Sequence, residues 1–291
     1  MVPVSAPASS TTASEATSRG PRAEVVRDSV SPAGVRLTTI EVTLHRFVLA
    51  ELNTHRVFSR NSASSRAIPV QRQLAAVLDD PAVPLEFGSN QRGMQAGPPL
   101  TGSDQEQALA AWLEARDAAV AAARNLLDLG VHKQVANRIL EPFIWHTVIV
   151  TATEWDGFWQ QRCSPLAQPE IRAAADAMRT AYDTSTPIEV AGDDWHTPYV
   201  RDDETDLDVE TRKRISAARC ARVSYLTHDG RRDLSADEEL YDRLVTAEPP
   251  HWSPLEHVAT PSDDPSVPGN FRGWRQLRHV IEAARSTPVG G

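Results

Sequence analysis

The stretch THRVFSRNSASSR, residues 54–66, constrains the fold and the function more than any other part of the sequence. It places three arginines, a histidine and an asparagine among small hydroxyl residues, with too few apolar side chains to form a core. Arginine presents a planar fork to phosphate and keeps its charge, and short hydroxyls complete an anion-binding surface. The stretch therefore predicts a site for a phosphate or for the carbonyl groups of a base, although a solvated helix end would also be basic.

The chain as a whole is acidic, with a formal net charge of -9 over 291 residues. A protein that coats long nucleic acid needs a broad basic face, so this balance disfavours a nucleic acid polymer as partner and favours a small anion. The first 20 residues, MVPVSAPASSTTASEATSRG, contain no continuous apolar run. We therefore expect no secretory signal, no membrane span and a cytoplasmic protein.

The hydrophobic period changes from that of a strand to that of a helix just before the basic stretch. VRLTTIEVTL (35–44) alternates like a half-buried strand, and RFVLAELNTH (46–55) has helical spacing, so the basic stretch begins at a helix end. Four further helices are expected, the first of them capped by Ser103 and stopped by Gly130. They are 103–130, KQVANRILEPF (133–143), TATEWDGFWQQR (151–162) and QPEIRAAADAMRTAY (168–182).

The last third of the chain is expected to begin with an exposed connecting loop, residues 183–210, that is rich in Asp, Thr, Pro and Glu. After it, ISAARCARVSYL (215–226) predicts a helix or the start of a strand, SADEELYDRLVTA (235–247) a capped helix, and HWSPLEHVATP (251–261) a turn before a short strand. The fold class is α/β. We expect residues 1–30 to be a disordered tail and residues 31–285 a single catalytic domain.

Several common kinds of site are disfavoured by missing motifs. The sequence has no G-x-S-x-G elbow for a serine hydrolase, and neither G-x-G-x-x-G nor G-x-x-x-x-G-K-[ST] for a Rossmann or Walker nucleotide site. His251 and His257 are six residues apart, without H-E-x-x-H or paired cysteines, so no metal site is expected. Cys163 and Cys220 belong to no C-x-x-C pair and are expected to be reduced thiols.

The spacing of residues 54–66 resembles the R-H-R-x-x-S-x-N-x-x-S-x-R signature of the flavin-dependent thymidylate synthases, the ThyX family, with Thr54 in place of the first arginine. ANRILEP (136–142) and RCSPLAQPEIRAAADAM (162–178) resemble two family helices that bear substrate arginines. Two blocks that usually precede the signature resemble ARVSYL (221–226) and SPLEH (253–257), which follow it here. The order is therefore similar to that of a circularly permuted branch, and the resemblance covers roughly residues 30–280.

The resemblance implies a mixed sheet wrapped by helices, and a homotetramer whose active sites form between subunits with FAD across the interface. Contacts with FAD are implied for His55, Arg56, Ser224 and His257. Contacts with a uracil nucleotide are implied for Glu51, Ser64, Ser65, Arg66, Arg138 and Arg162. Among these, Ser64 would polarise or position the uracil, and Arg162 would stabilise the charge that develops on the ring, so both are expected to be catalytic.

The reaction implied is reductive C5-methylation of UMP or dUMP, with methylenetetrahydrofolate as the carbon donor and NADPH as the reductant of the flavin. Some positions depart from the family pattern, namely Gly157, Ser164 with Pro165, and Leu255. These departures are similar in kind to those of a member that accepts UMP as well as dUMP in nucleoside antibiotic biosynthesis. The alternatives are a strict dUMP synthase for DNA precursors, a uridylate C5-hydroxymethylase, and a non-catalytic flavin or nucleotide sensor suggested by Thr54.

Overall fold

A computed structural model describes residues 20–223, 233–264 and 266–286. Its centre is a mixed five-stranded sheet in the order β3-β4-β2-β1-β5, in which only the β1–β5 pair is parallel. The expected α/β fold class is confirmed. The strands are β1 (Arg22–Val30), β2 (Arg36–His45), β3 (Ser59–Ser62), β4 (Trp145–Ala152) and β5 (Ile188–Glu189).

Helices cover the sheet, and a small hairpin lies near the end of the chain. The helices are α1 (Leu49–Asn53), α2 (Val70–Asp79), α3 (Ser103–Asp128), α4 (Lys133–Ala136), α5 (Asp156–Arg162), α6 (Pro169–Thr184), α7 (Val209–Arg222), α8 (Leu234–Thr246) and α9 (Leu277–Ser286). The hairpin consists of β6 (Ala259–Pro261) and β7 (Trp274–Gln276). Short 3₁₀ segments span Arg46–Val48, Asn137–Phe143, Asp202–Glu204 and Ser253–Glu256.

The main core lies between one face of the sheet and helices α5 and α6. Alternate residues of β2 and β4 point into it, among them Ile40, Val42, Val148 and Val150, and meet aromatic side chains of the α5 region. The other face of β2 is also buried, because Thr39 and Thr43 are covered. The strand expected at 35–44 was predicted to be half-buried, but it is a central strand that is covered on both faces. Its threonines gave the sequence an alternating pattern although they are buried.

A second core holds the helices that follow the basic stretch. Apolar residues of α2, α3 and the 3₁₀ segment pack together there, including Leu74, Val77, Val120 and Leu140. Helix α3 ends as expected, with Gly130 in the left-handed region at φ +77°. Its expected serine cap is wrong, because Ser103 is the first helical residue and the N-cap position is Gly102, which has no side chain to cap the helix.

Other boundaries also differ from the expectations. Strand β1 occupies 22–30, so the disordered tail expected at 1–30 is wrong for those residues, while residues 1–19 lie outside the described part. The helix expected at 151–162 starts only at Asp156, because β4 continues to Ala152. The helix expected at 133–143 is α-helical only to Ala136 and continues as a 3₁₀ segment that contains Pro142.

The segment expected to be an exposed loop at 183–210 is partly buried. The ring of His196 is completely buried, with Nδ1 2.8 Å from Ser29 Oγ and Nε2 2.8 Å from Thr39 Oγ1. The burial of this segment could not be inferred from its polar composition, because a polar segment can be buried when its polar atoms have hydrogen-bond partners. Among the described residues, no helix is long and apolar enough to cross a membrane.

Candidate active site

The basic stretch runs from the end of α1, along edge strand β3, to a turn before α2. Strand β3 is an edge strand of the sheet, since β4 is its one strand partner among the described residues. After the strand, the amides of Ala67 and Ile68 donate to the carbonyl of Ser64, which turns the chain toward α2. The expectation that the stretch begins at a helix end is confirmed, and the short strand inside it was not anticipated.

A polar cleft of about 320 Å³ lies beside this strand and turn. Its lining combines three guanidinium groups with small hydroxyl and backbone groups, from Arg46, Arg60, Asn61, Ser62, Ala63, Ser64, Ser65 and Arg138. The carboxylate of Glu141 holds two of the arginines, at 2.6 Å from Arg138 and 3.4 Å from Arg46. Three cations against one carboxylate leave the cleft positive, as an anion site requires.

A second polar cluster forms around Arg162 at the end of α5. Its Nε donates to His55 Nε2 at 3.1 Å, and its Nη2 donates to the carbonyl of Glu51 at 3.2 Å and to Thr54 Oγ1 at 3.0 Å. Burial of the ring, followed by the charges of Arg162 and Arg60, lowers the pKa of His55 to about 4. The imidazole is therefore neutral near pH 7, and its proton belongs on Nδ1 because Nε2 accepts.

The side chain of Glu51 gives this cluster an unsatisfied acceptor. Its Oε2 is buried and receives no hydrogen bond from the residues that the structure describes. A buried carboxylate oxygen without a donor is costly, so a ligand that supplied an N–H or O–H group would stabilise it. This acceptor therefore makes the cluster a candidate binding place for an N–H or O–H group of a ligand.

Arg60 joins the cleft to the second cluster. It lines the cleft, and its Nη1 donates to the carbonyls of Leu52 and His55, each at 3.3 Å. The single chain thus brings Ser64, Ser65 and Arg138 together at the cleft. It brings Glu51, His55 and Arg162 together in the adjacent cluster. Arg56 and Arg66 are exposed and line neither the cleft nor the cluster.

The position of His257 disagrees with its expected contact with FAD. Its ring is completely buried, and Nδ1 lies 2.7 Å from Thr151 Oγ1. Thr151 in turn contacts Thr39 at 2.6 Å, so His257 ends a polar chain that starts at Ser29 and passes through His196. A ligand could touch this ring only if its surroundings moved. Ser224, the other expected contact from the late blocks, lies outside the described residues.

Residues that flank the late blocks (221–226 and 253–257) nevertheless pack against β3 of the signature and the loop before it. The side-chain amide of Asn61 donates to the carbonyl of Cys220 at 2.7 Å, and Gln276 Nε2 donates to Ser59 Oγ at 2.9 Å. Asn270 Nδ2 donates to the carbonyl of Val57 at 2.9 Å, and this hydrogen bond anchors the backbone of the loop that carries His55. Asn270 and Gln276 were not predicted, because they lie more than 200 residues from their partners and belong to no recognisable motif.

Arg46 is a further cleft residue that sequence analysis missed. It directly follows the end of β2 and lines the cleft, and no sequence motif marked it as a site residue. The departures from the family pattern lie outside the cleft lining. A Cβ at Gly157 would meet nothing within 4 Å, and Leu255 is completely buried. No group of His, Cys, Asp and Glu suited to a metal ion occurs in the described part of the chain.

Comparisons with known proteins identify the family to which the chain belongs. No curated protein sequence matches the chain significantly. Two crystal structures of the UMP/dUMP methylase PolB from Streptomyces cacaoi are similar, one bound with 5-Br UMP (20% identity, TM-score 0.47) and one with 5-Br dUMP (17%, 0.43). Each similarity covers 56% of this chain, and 89% and 90% of the respective PolB chains.

The sequence model of the thymidylate synthase complementing proteins matches residues 23–188, more than half of the chain. The chain therefore belongs to this family, the ThyX thymidylate synthases, and is a thymidylate synthase-like methyltransferase.

Proposed function

We propose that the protein catalyses reductive C5-methylation of a uracil mononucleotide, UMP or dUMP or both. FAD is the bound cofactor, methylenetetrahydrofolate donates the carbon, and NADPH is the reductant. One observation carries the proposal. The segment matched by the family model folds into a positive cleft, with Ser64, Ser65 and Arg138, beside a cluster built on Arg162.

The phosphate of the nucleotide belongs in the cleft. A phosphate forms charge-assisted hydrogen bonds with guanidinium groups, and hydroxyls and backbone N–H groups complete its shell. Arg46, Arg60 and Arg138 supply the charge, and the turn at Ser64 and Ser65 supplies the neutral donors. A cleft of about 320 Å³ also has the size of a small-ligand site.

The uracil ring belongs beside the second cluster. Its C5 atom is a weak nucleophile until negative charge is drawn toward the ring carbonyls, so donors fixed near those oxygens lower the barrier. Arg162 supplies such donors, because Nη1 has no acceptor among the described residues. The free Oε2 of Glu51 can accept from an N–H or O–H group of the nucleotide.

The residues that would hold FAD are His55 and Arg56, with Ser224 from the late blocks. The neutral ring of His55 stands edge-on to Phe158 at 4.9 Å, and the exposed guanidinium of Arg56 suits a pyrophosphate. When bound, FAD would supply the hydride that completes the transferred methyl group. Because His257 is buried, its part in the proposal is to support the sheet behind the signature.

The proposal includes a homotetramer with active sites between subunits and a circularly permuted chain order. Arg56 and Arg66 lie on the surface of the single chain, where a second copy could complete a site with them. The contact between Asn61 and Cys220 supports the permutation, because it brings the end of α7 to the signature strand. Light scattering of the purified protein measures the number of subunits.

The proposal of a relaxed enzyme that accepts UMP, and hence of a role in nucleoside antibiotic biosynthesis, rests on the sequence departures at Gly157 and Ser164, although neither residue lines the cleft. Strict use of dUMP would instead fit DNA precursor supply. A side-by-side rate comparison with UMP and dUMP separates these two roles.

The test of the proposed function starts with the visible absorption of flavin in the purified protein. NADPH, methylenetetrahydrofolate and either nucleotide are then added, and the product is identified by mass spectrometry. We expect a C5-methylated nucleotide. A product with one additional oxygen would indicate hydroxymethylation, and nucleotide binding without NADPH oxidation would indicate a sensor. Absence of both flavin and methylated product would refute the proposal.

A further inference from the structure

The hydroxyl of Thr54 takes part in a closed set of hydrogen bonds with Glu51 and Arg162. Thr54 Oγ1 donates to the carbonyl of Glu51 at 2.7 Å. The Nη2 atom of Arg162 donates both to that carbonyl, at 3.2 Å, and to Thr54 Oγ1, at 3.0 Å. A hydroxyl has one proton and two lone pairs. Because the proton is directed to Glu51, the oxygen of Thr54 can only accept from the guanidinium.

The other anchored nitrogen of Arg162 is Nε, which donates to His55 Nε2 at 3.1 Å. His55 is itself held, because its backbone amide donates to the carbonyl of Leu52 at 3.3 Å and its ring packs against Phe158. Three acceptors, namely the carbonyl of Glu51, Thr54 Oγ1 and His55 Nε2, thus fix two of the three guanidinium nitrogens. The third nitrogen, Nη1, has no acceptor in the described part of the chain.

The side chain at position 54 supplies one of the three acceptors for Arg162. The family signature begins with an arginine, whereas this chain has a threonine there. A second guanidinium at this position would be a like charge next to Arg162 and would offer no acceptor. Threonine is neutral and supplies the acceptor on a stiff, β-branched side chain.

We propose that Thr54 is a positioning residue for the methylation reaction. Its hydroxyl accepts a hydrogen bond from Nη2 and so fixes the orientation of the Arg162 guanidinium, together with Glu51 and His55. In this orientation Nη1 can donate to a carbonyl oxygen of the uracil ring. The proposal rests on the proposed function in its reference to uracil. The locking of Arg162 by Thr54 stands on the hydrogen bonds of this chain alone.

The test compares Thr54→Val, which keeps the shape and removes the acceptor, with Thr54→Ser, which keeps the acceptor. Thr205→Val is the matched control, because Thr205 is also exposed and its hydroxyl also donates to the carbonyl three residues earlier, at 2.8 Å. We expect Thr54→Val to lower kcat roughly ten- to a hundredfold, the cost of a misplaced catalytic group. Thr54→Ser should recover most of that loss, and flavin content should stay constant in all three variants.

A second measurement does not depend on turnover. Histidine labelled with ¹⁵N reports the hydrogen bond between Arg162 and His55 through the chemical shift of Nε2. We expect Thr54→Val to shift this resonance, and Thr54→Ser and Thr205→Val to leave it in place. If the wild type failed to methylate any uracil nucleotide, the proposed function would fail, and the His55 resonance would still decide the positioning role.

Two results would overturn the inference. One is wild-type kcat together with an unchanged His55 resonance in Thr54→Val. The other is a Thr54→Arg enzyme that is faster than the wild type, since the arginine should displace Arg162 and lower kcat as the valine does. A melting curve for each variant shows whether it is folded before its rate is compared.

Discussion

The side-chain amide of Asn61 lies 2.7 Å from the backbone carbonyl of Cys220, although 159 residues separate them in the sequence. The other end of the same amide, Oδ1, lies 3.4 Å from Ser253 Oγ. Asn61 therefore connects the signature strand to the end of α7, at the residue directly before the block 221–226, and to the block 253–257 before β6. A single buried side chain thus joins segments that come in the opposite order in the usual family pattern.

The first prediction concerns the stability that this amide provides. Asn61→Ala leaves the buried carbonyl of Cys220 without this donor, so the free energy of unfolding should fall by about 1–3 kcal/mol. Urea titration measures the change, and Asn125→Ala on the exposed side of α3 is the control. A loss below about 0.5 kcal/mol, as for an ordinary surface change, would show that the contact is unimportant.

How much of the fold was predictable follows from the range of the interactions. Helices α3 and α6 and strand β2 were predicted, because their periods and flanking residues are local signals. Strand β4 was missed, because IWHTVIVTA is a short apolar run in which strand and helix patterns cannot be told apart. Strand β1 was missed for a related reason: RAEVVRDSV is polar enough to pass as part of the tail.

The same distinction between local and long-range interactions applies to the candidate site. The hydroxyl and arginine groups of residues 54–66 were predicted as an anion site, because the donors are contiguous in sequence. The cluster of Glu51, His55 and Arg162 came only from the family resemblance, since α5 joins it through the fold. The burial of His196 could not be predicted, because its partners Ser29 and Thr39 are more than 150 residues away.

A second prediction tests the cleft as the phosphate site. Arg138→Ala should weaken UMP or dUMP binding about tenfold or more, because it removes one charge-assisted hydrogen bond. Calorimetry measures Kd for the variant and for Arg124→Ala, which removes the same charge from an exposed position on α3. Equal Kd values for the two variants would mean that the phosphate binds elsewhere.

A third prediction separates catalysis from cofactor binding. Ser64→Ala and Arg162→Ala should each lose most of the turnover, at least a hundredfold for Arg162, because its donors meet charge that develops only in the transition state. Both variants should retain FAD. Turnover and flavin absorbance per subunit are measured on the same samples, and wild-type rates in either variant would contradict its assigned role.

A fourth prediction is that Cys163 does not act as a nucleophile. Cys163 follows Arg162 directly, yet burial, followed by Asp176, raises the pKa of its thiol to about 11. Near pH 7 the thiol is protonated, and the thiolate is the reactive form. Cys163→Ala should therefore keep turnover within about threefold of the wild type, because it removes no interaction with the transition state. Loss of the reaction, together with mass-spectrometric evidence for a nucleotide bound to Cys163 in the wild type, would contradict this prediction.

The last prediction is a pH dependence of stability that comes from buried neutral histidines. Burial lowers the pKa of His257 to about 3, and burial followed by the charge of Arg46 lowers the pKa of His146 to about 3. An unfolded histidine has a pKa of about 6.5, so between these values the unfolded chain binds protons that the folded chain excludes. The stabilising contribution is therefore complete above pH 6.5 and declines as the pH falls toward 3, by about 1.4 kcal/mol per pH unit for each histidine.

Urea titrations between pH 5 and 7.5 should show this decline, and His257→Asn should make the slope shallower because asparagine cannot bind the proton. The exposed His251→Asn is the control, since its ring meets water in the folded chain. If His257→Asn does not fold, the slope of the wild type still tests the prediction. A wild-type stability that was constant over this range would show that these rings accept protons without unfolding, and hence that the core around Thr151 and His257 opens to water.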